Sequence, residues 1–218
     1  KGIIPIYEPG LEELVLKNYK NKKLKFSTDL ENSIKKSDIV FICVGTPTKK
    51  NGIGADLSQI YSVSKEISKS INKFKIIITK STVPVMTGDE PEKIISKKVN
   101  KNKFSIVSNP EFLVEGKAIQ GSLKPDRVVV GAWKEENFEV MRNIYERFYN
   151  SPTVSYIEVN PKEAAAGKLL ANFYLTYKLM ACYDVIGRTC EVFDDLKFEH
   201  LRNILVTDKR IGNWGFFD

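Results

Sequence analysis

Phe74-Lys75-Ile76-Ile77-Ile78-Thr79 (FKIIIT) runs straight into Lys80-Ser81-Thr82-Val83-Pro84-Val85. Three consecutive isoleucines show no alternation of wet and dry faces, which is how a strand buried on both sides of a parallel sheet reads. The hydroxyl-rich turn and its proline end that strand. The same texture recurs upstream at Asp38–Val44 (DIVFICV) and downstream at Phe104–Ser108 (FSIVS) and Arg127–Gly131 (RVVVG), with a shorter run at Thr153–Val159 (TVSYIEV). Helical patterns fill the gaps at Gly10–Asn18, Leu30–Lys36, Leu57–Ser70, Glu90–Val99 and Glu135–Tyr149. Strand–helix alternation predicts an α/β fold with a parallel sheet and right-handed crossovers.

After Val159 the pattern changes. Pro161 suits the first turn of a helix, and Ala165, Leu169, Phe173, Met180, Tyr183 and Ile186 recur at helical spacing with no interior proline before Phe193. A helix of about 30 residues is on the order of 45 Å long, a length that suits a connector or an assembly element. Phe198–Leu205 reads as another short helix. Internal repeats and low-complexity tracts are absent from the sequence.

At about 150 residues per domain, 218 residues predict one domain and part of another. With 42% hydrophobic and 28% charged residues, the composition excludes wholesale disorder. No run of about 18 apolar residues is present, and Lys1–Gly10 lacks the shape of a signal peptide. The expectation is a chain that neither spans a membrane nor is exported. Cys43, Cys182 and Cys190 cannot build a disulfide framework, which points to a reducing, cytoplasmic location. Those cysteines lack zinc-ligand spacing and His200 is the only histidine, so neither a His-based metal site nor a His-containing triad is expected. The net charge of +7 comes from 34 Lys+Arg against 27 Asp+Glu. Only six of those cations are arginines, and the lysines fall in scattered clusters such as Lys17–Lys25 and Lys97–Lys103. Nucleic-acid binders favour arginine and a focused basic face, so a solvated lysine-rich surface is the better reading.

The sequence holds no Gly-rich turn of the kind that marks a dinucleotide site. Gly52-Ile53-Gly54 has Leu57 at the third glycine position and no strand leading into it, so it fails that fingerprint and reads as a loop.

Four ordered segments carry more specific information: Pro5-Ile6-Tyr7-Glu8-Pro9-Gly10-Leu11-Glu12-Glu13-Leu14; Val44-Gly45-Thr46-Pro47-Thr48; Lys80-Ser81-Thr82-Val83-Pro84-Val85; and Ser108-Asn109-Pro110-Glu111-Phe112-Leu113-Val114-Glu115-Gly116-Lys117-Ala118-Ile119, with Lys124-Pro125-Asp126-Arg127 beyond it. Three of them stand at the carboxyl ends of consecutive expected strands, where open α/β sheets place ligands. By themselves, Thr46-Pro47-Thr48 and the Thr82 turn also read as plain turns. Glu111 and Glu115 share a face if they open a helix, either as a solvated first turn favoured by the helix dipole or as a general base and a ligand-contacting carboxylate. Lys168 and Asn172, four apart, read either as a solvated face or, given the small neighbours Ala165, Ala166, Gly167 and Ala171, as groups with room for a ligand.

In order and spacing, these segments resemble the UDP-glucose/GDP-mannose dehydrogenase family over essentially the whole chain. The resemblance implies a Rossmann-like parallel sheet (incomplete at its N-terminus) over residues 1–160, then a long connecting helix and the start of a helical dimerisation domain over 161–218. It implies NAD as cofactor, contacted by Val44, Gly45, Thr46, Pro47, Thr48, Ser81, Thr82 and Glu115. It also implies a UDP-sugar, with the pattern favouring UDP-glucose, contacted by Glu111, Phe112, Leu113, Glu115, Lys168, Asn172 and Arg210. The family's reaction oxidises the sugar's primary alcohol to a carboxylate in two hydride transfers, through a thiohemiacetal and a thioester on a cysteine. Carried over, Lys168 and Asn172 stabilise the developing oxyanion, and Glu111 and Thr82 orient or deprotonate the hydrolytic water.

The family's GxGxxG turn would precede Lys1, and its Gly-Ser-Cys nucleophile segment would follow Asp218. Cys43, expected inside a strand, and Cys182 and Cys190 on the long helix do not match that position. The expectation is therefore the middle of a longer dehydrogenase, inactive alone, that assembles as at least a dimer through the long helix. A non-catalytic remnant of the same fold is the alternative, and the sequence beyond both ends would discriminate. Tyr183-Asp184 replaces the family's usual Asn-Glu, and Trp214-Gly215-Phe216-Phe217 fits the family poorly after Arg210-Ile211-Gly212.

Overall fold

A computed structural model describes residues 4–211 of the chain. Two compact units divide it, residues 1–168 and 169–218.

The first unit is built on a five-stranded sheet of β1 (Ile39–Ile42), β2 (Lys75–Thr79), β3 (Phe104–Ser108), β4 (Arg127–Gly131) and β5 (Ser155–Val159). The strands lie side by side in chain order. Along the chain come α1 (Leu11–Lys20), α2 (Leu30–Lys36), α3 (Ser58–Ser70), α4 (Glu90–Ser96), α5 (Ala118–Leu123), α6 (Glu135–Ile144) and α7 (Glu146–Tyr149). Strand β2 is buried along its whole length, and its isoleucines divide between two cores. Ile77 packs with Ile34, Ile42, Ile60, Ile67, Ile95 and Phe104, which joins one side of the sheet to α2, α3 and α4. Ile76 and Ile78 pack with Val107, Val128, Val130 and Met141 on the other side, beneath α6. Each such side chain contributes about 1.5–3 kcal/mol by leaving water, so sheltering both faces is what holds this strand at the centre.

The sheet departs from the all-parallel expectation. β1, β2 and β3 are parallel, with Ile39 opposite Ile76 and Lys75 opposite Phe104. β4 runs antiparallel to β3 and meets it only at Ser108 and Gly131, while β5 runs parallel to β4. An apolar run records burial on both faces but not strand direction. Direction is set by the connection, and the segment between β3 and β4 holds only a loop and the short helix α5, which the sequence reading missed. A second departure is the expected helix Glu135–Tyr149, which breaks between α6 and α7 at Tyr145, whose φ of −105° and ψ of 23° leave the helical region.

Helix α8 (Pro161–Met180) starts in the first unit and continues into the second. Its start is legible locally. Asn160 Oδ1 accepts from the amides of Lys162 and Glu163, and Glu163 Oε2 accepts in return from the Asn160 amide. That is a reciprocal capping box with proline at the first helical position. Gly131 is needed here, because a Cβ on it would stand 2.8 Å from both Ala164 Cβ and Pro161 Cα. The close approach of β4 to α8 is possible only without a side chain.

In the second unit the expected long helix passes through a widened π turn (Ala181–Ile186) into α9 (Gly187–Val192), and α10 (Phe198–Val206) follows. Cys182 and Ile186 form a small core with Cys190, Phe198, Leu201, Leu205 and Val206. Tyr183-Asp184 lies within the π turn, and Tyr183 stacks on Phe198 with ring centroids 6.1 Å apart. Leu170, Phe173, Tyr174, Tyr177 and Met180 are exposed. Among the described residues, no helix is long and apolar enough to cross a membrane.

Candidate active site

The turns that follow the parallel neighbours β1 and β2 are laced together by hydroxyls. After β1 come Val44-Gly45-Thr46-Pro47-Thr48, and after β2 come Lys80-Ser81-Thr82. Ser81 Oγ donates to Val44 O at 2.6 Å and Thr46 Oγ1 donates to Thr82 O at 2.8 Å. The amides of Lys80 and Ser81 both reach Ile42 O. Ser81 and Thr46 therefore spend their hydroxyls on holding the two turns in register. Thr82 and Thr48 keep theirs free of hydrogen bonds to the described residues. Main chain at Gly45 is open, since a Cβ there would meet only Gln59 Nε2 at 3.9 Å. Uncommitted hydroxyls and open main chain at parallel strand ends suit the edge of a dinucleotide.

At the end of β3, Asn109 is buried at 1% exposure and is the hub of a satisfied network. Its amide nitrogen bonds Thr79 O, and Nδ2 donates to Val129 O at 2.8 Å. Oδ1 accepts from Tyr145 Oη at 2.6 Å and Lys80 Nζ at 3.1 Å. These partners also settle which way the Asn109 amide points. Burial holds the Lys80 ammonium below the usual lysine range, Cys43 and Glu111 pull against that shift, and Lys168 adds to it. Burial likewise pushes Tyr145 up to about 12.

Two residues on, Glu111 Oε2 accepts from its own loop at Leu113 N, 2.5 Å away. Glu111 Oε1 faces Lys168 Nζ at 3.3 Å. Lys168 is only 6% exposed, so the solvated-face reading of this lysine is excluded. Phe112 takes Arg127 over its ring at 4.1 Å and Lys168 at 5.1 Å, which fixes the ammonium between a carboxylate and an aromatic face. The segment is not the helical turn expected for Glu111 and Glu115. It is a loop as far as α5, and Leu113 and Glu115 are exposed on it. The left-handed Gly116, at φ 78°, opposes a helix running through to α5.

The remaining expected residues lie in the second unit. Asn172 is exposed. Arg210 is exposed and paired with Asp208 at 2.6 Å, and Gly212 and Trp214–Phe217 fall outside the described residues. Cys43 is not inside a strand. It follows β1 and is exposed, and desolvation raises its thiol pKa against the pull of Lys80, which does not favour a nucleophile. Among the described residues, no three His, Cys, Asp or Glu side chains gather in a way that could hold a metal ion.

Lys80, Asn109 and Tyr145 were missed as site residues by sequence reasoning. A lysine and an asparagine directly after apolar strands were the available signal for the first two. Nothing local marks Tyr145. Together, a buried ammonium and the carboxylate it faces can stabilise negative charge on oxygen and orient a water.

Residues 1–149 match the model of the UDP-glucose/GDP-mannose dehydrogenase family, NAD binding domain. The chain belongs to this family. It is similar to the UDP-glucose 6-dehydrogenase of Rhizobium meliloti (strain 1021), 45% identical over 71% of this chain and 36% of that protein. UDP-glucose 6-dehydrogenase TuaD of Bacillus subtilis (strain 168) is 38% identical over 87% and 40%. UDP-glucose 6-dehydrogenase 1 of Arabidopsis thaliana is 38% identical over 96% and 44%. The chain thus spans well under half the length of these family relatives. Among solved family structures, a UDP-glucose dehydrogenase from Pyrobaculum islandicum superposes with a TM-score of 0.89 at 30% identity, covering 99% of this chain and 49% of that one. A GDP-mannose dehydrogenase from Pseudomonas aeruginosa gives 0.86 at 27%, over 98% and 49%.

Proposed function

We propose that the protein carrying this segment is an NAD-dependent UDP-glucose 6-dehydrogenase of the cytoplasm that oxidises UDP-glucose to UDP-glucuronate. Residues 1–160 serve as the NAD-binding part. Residues 161–218 serve as connecting helix and the start of a dimerisation domain, with the exposed Phe173, Tyr174, Tyr177 and Met180 as contact residues. The observation that carries the reading is the buried Lys168 ammonium held 3.3 Å from Glu111 at the end of β3. NAD, when bound along Val44–Thr48, Ser81, Thr82 and Glu115, supplies the hydride acceptor. Lys168, joined by Asn172, meets the sugar oxygen where negative charge develops. Glu111 and the free Thr82 hydroxyl orient the water that completes the second oxidation. Phe112, Leu113 and Arg210 hold the nucleotide sugar.

The test is NADH formation by the full-length protein with UDP-glucose, GDP-mannose and UDP-N-acetylmannosamine in parallel. Two NADH per UDP-glucose consumed, with at least tenfold lower kcat/KM on the others, is expected. Turnover of another sugar in preference to UDP-glucose would overturn the substrate assignment.

A further inference from the structure

From the Pro5–Leu14 motif one side chain reaches the loop that leaves β3. Glu8 Oε1 accepts from Gly116 N at 2.8 Å and Glu8 Oε2 from Ala118 N at 3.2 Å. We propose that Glu8 is a positioning residue for UDP-sugar binding, its carboxylate clamping the far end of the Glu111–Lys117 loop at the Gly116 and Ala118 amides. The proposal rests on the reading of that loop as the sugar-nucleotide-facing segment.

Both sides of the clamp are built for it. On the Glu8 side, Pro9 restricts the chain and Gly10 takes φ 80°, with Leu11 N closing the turn onto Glu8 O at 3.1 Å. The carboxylate therefore projects from the rigid start of α1. On the loop side, Gly116 takes φ 78° and Lys117 N bonds Val114 O at 3.0 Å, which turns the chain just where the carboxylate meets it. Neither glycine has an atom within 4 Å of where a Cβ would sit, so what requires glycine there is backbone conformation, not crowding. Each carboxylate oxygen takes one amide, and such charge-assisted bonds are about twice as strong as neutral ones.

The loop is thus held at two points. Near β3, Glu111 is tied to Leu113 N and Lys168, and beyond it Glu8 holds Gly116 and Ala118. Between the anchors, Leu113, Val114 and Glu115 are exposed, presented to a ligand on a span of fixed length. Loss of the Glu8 anchor loosens that span but leaves Glu111 and Lys168 together, so binding suffers and chemistry does not.

The experiment compares full-length parent, Glu8→Ala, Glu8→Gln and the control Glu12→Ala, whose side chain is exposed in the first turn of α1. Glu8→Ala should raise the UDP-glucose KM about tenfold while kcat stays within about twofold, and the NAD KM should rise by less than the UDP-glucose KM because Glu115 alone of the loosened span is assigned to NAD. Amide hydrogen exchange should accelerate in peptides covering 111–118. Glu8→Gln, which keeps one acceptor oxygen, should recover part of the KM, and Glu12→Ala should match the parent. A parental UDP-glucose KM in Glu8→Ala, equal losses in both substrates' KM and in kcat, or a Gln variant no better than Ala would each overturn the proposal. If the parent does not oxidise UDP-glucose, the function reading fails by itself. The exchange measurement then judges the clamp, with unchanged exchange overturning it and acceleration confined to 111–118 supporting it. Should Glu8→Ala fail to fold, Glu8→Gln carries the same comparison.

Discussion

Strand β2 carries a lysine at each end, and the two are held differently. At its amino end Lys75 is fully buried and donates to Ser37 O at 2.5 Å and Lys35 O at 3.4 Å, closing the carboxyl end of α2. Just past its other end Lys80 donates to the side chain and main chain of Asn109, in a cluster with Cys43, Glu111 and Lys168. Burial lowers the pKa of both ammonium groups. The difference lies in their partners. Carbonyls at a helix end are part of the backbone and cannot be exchanged, so Lys75 is committed to the fold. Side chains on turns and loops can rearrange around a ligand, so the carboxyl end keeps its charges available. This is the physical content of the rule that α/β sheets bind at that end.

The contrast breaks most sharply at Lys168. On the proposed function, Lys168→Ala in the full-length protein should lower kcat by about 10²–10³-fold with a much smaller change in the UDP-glucose KM, because an ammonium facing developing charge matters most in the transition state. Steady-state kinetics checks this, and a raised KM with kcat unchanged would make Lys168 a binding residue only. Lys75→Met should do the reverse. It removes the donor that closes the carboxyl end of α2 and should cost about 1–3 kcal/mol in urea unfolding, with KM and kcat unchanged once the protein is folded.

Gly131 tests whether the carboxyl end depends on the packing that delivers α8. Gly131→Ala puts a methyl group against Pro161 and Ala164 and should cost about 1–3 kcal/mol. Turnover should fall with it, since Lys168 sits about one helical turn beyond Ala164 and two beyond Pro161. Thermal melting and kcat measured together would separate the two effects.

The smallest effect is alkaline. Tyr145 is raised from 10.0 to about 12, so the unfolded chain loses that proton first. Its contribution is present in full below pH 10 and is lost as pH rises toward 12. Lys75 has the opposite sign: its folded pKa lies below 10.5, so its penalty is relieved as pH rises to that value. Urea midpoints across this range should fall less steeply in Tyr145→Phe and more steeply in Lys75→Met than in the parent.

The strands, the start of α8 at Asn160-Pro161-Lys162-Glu163 and the motif segments were legible in the sequence, because buried strands, caps and turn residues are local physics. The family could be read there too, from four segments in order, and residues 1–149 match its NAD binding domain. The antiparallel direction of β4 was not legible, nor the loop that replaces a helix at Glu111–Lys117, nor the exposure of Cys43. Those depend on what each segment packs against. Burial of Lys168 beside Glu111 and Phe112 joins residues more than fifty positions apart, and Glu8 reaches across more than a hundred to Gly116. The sequence alone determined which residues could carry charge, hydroxyls and tight turns. Tertiary structure alone decided which of them meet, because desolvation and hydrogen-bond geometry are properties of neighbours that no local pattern encodes.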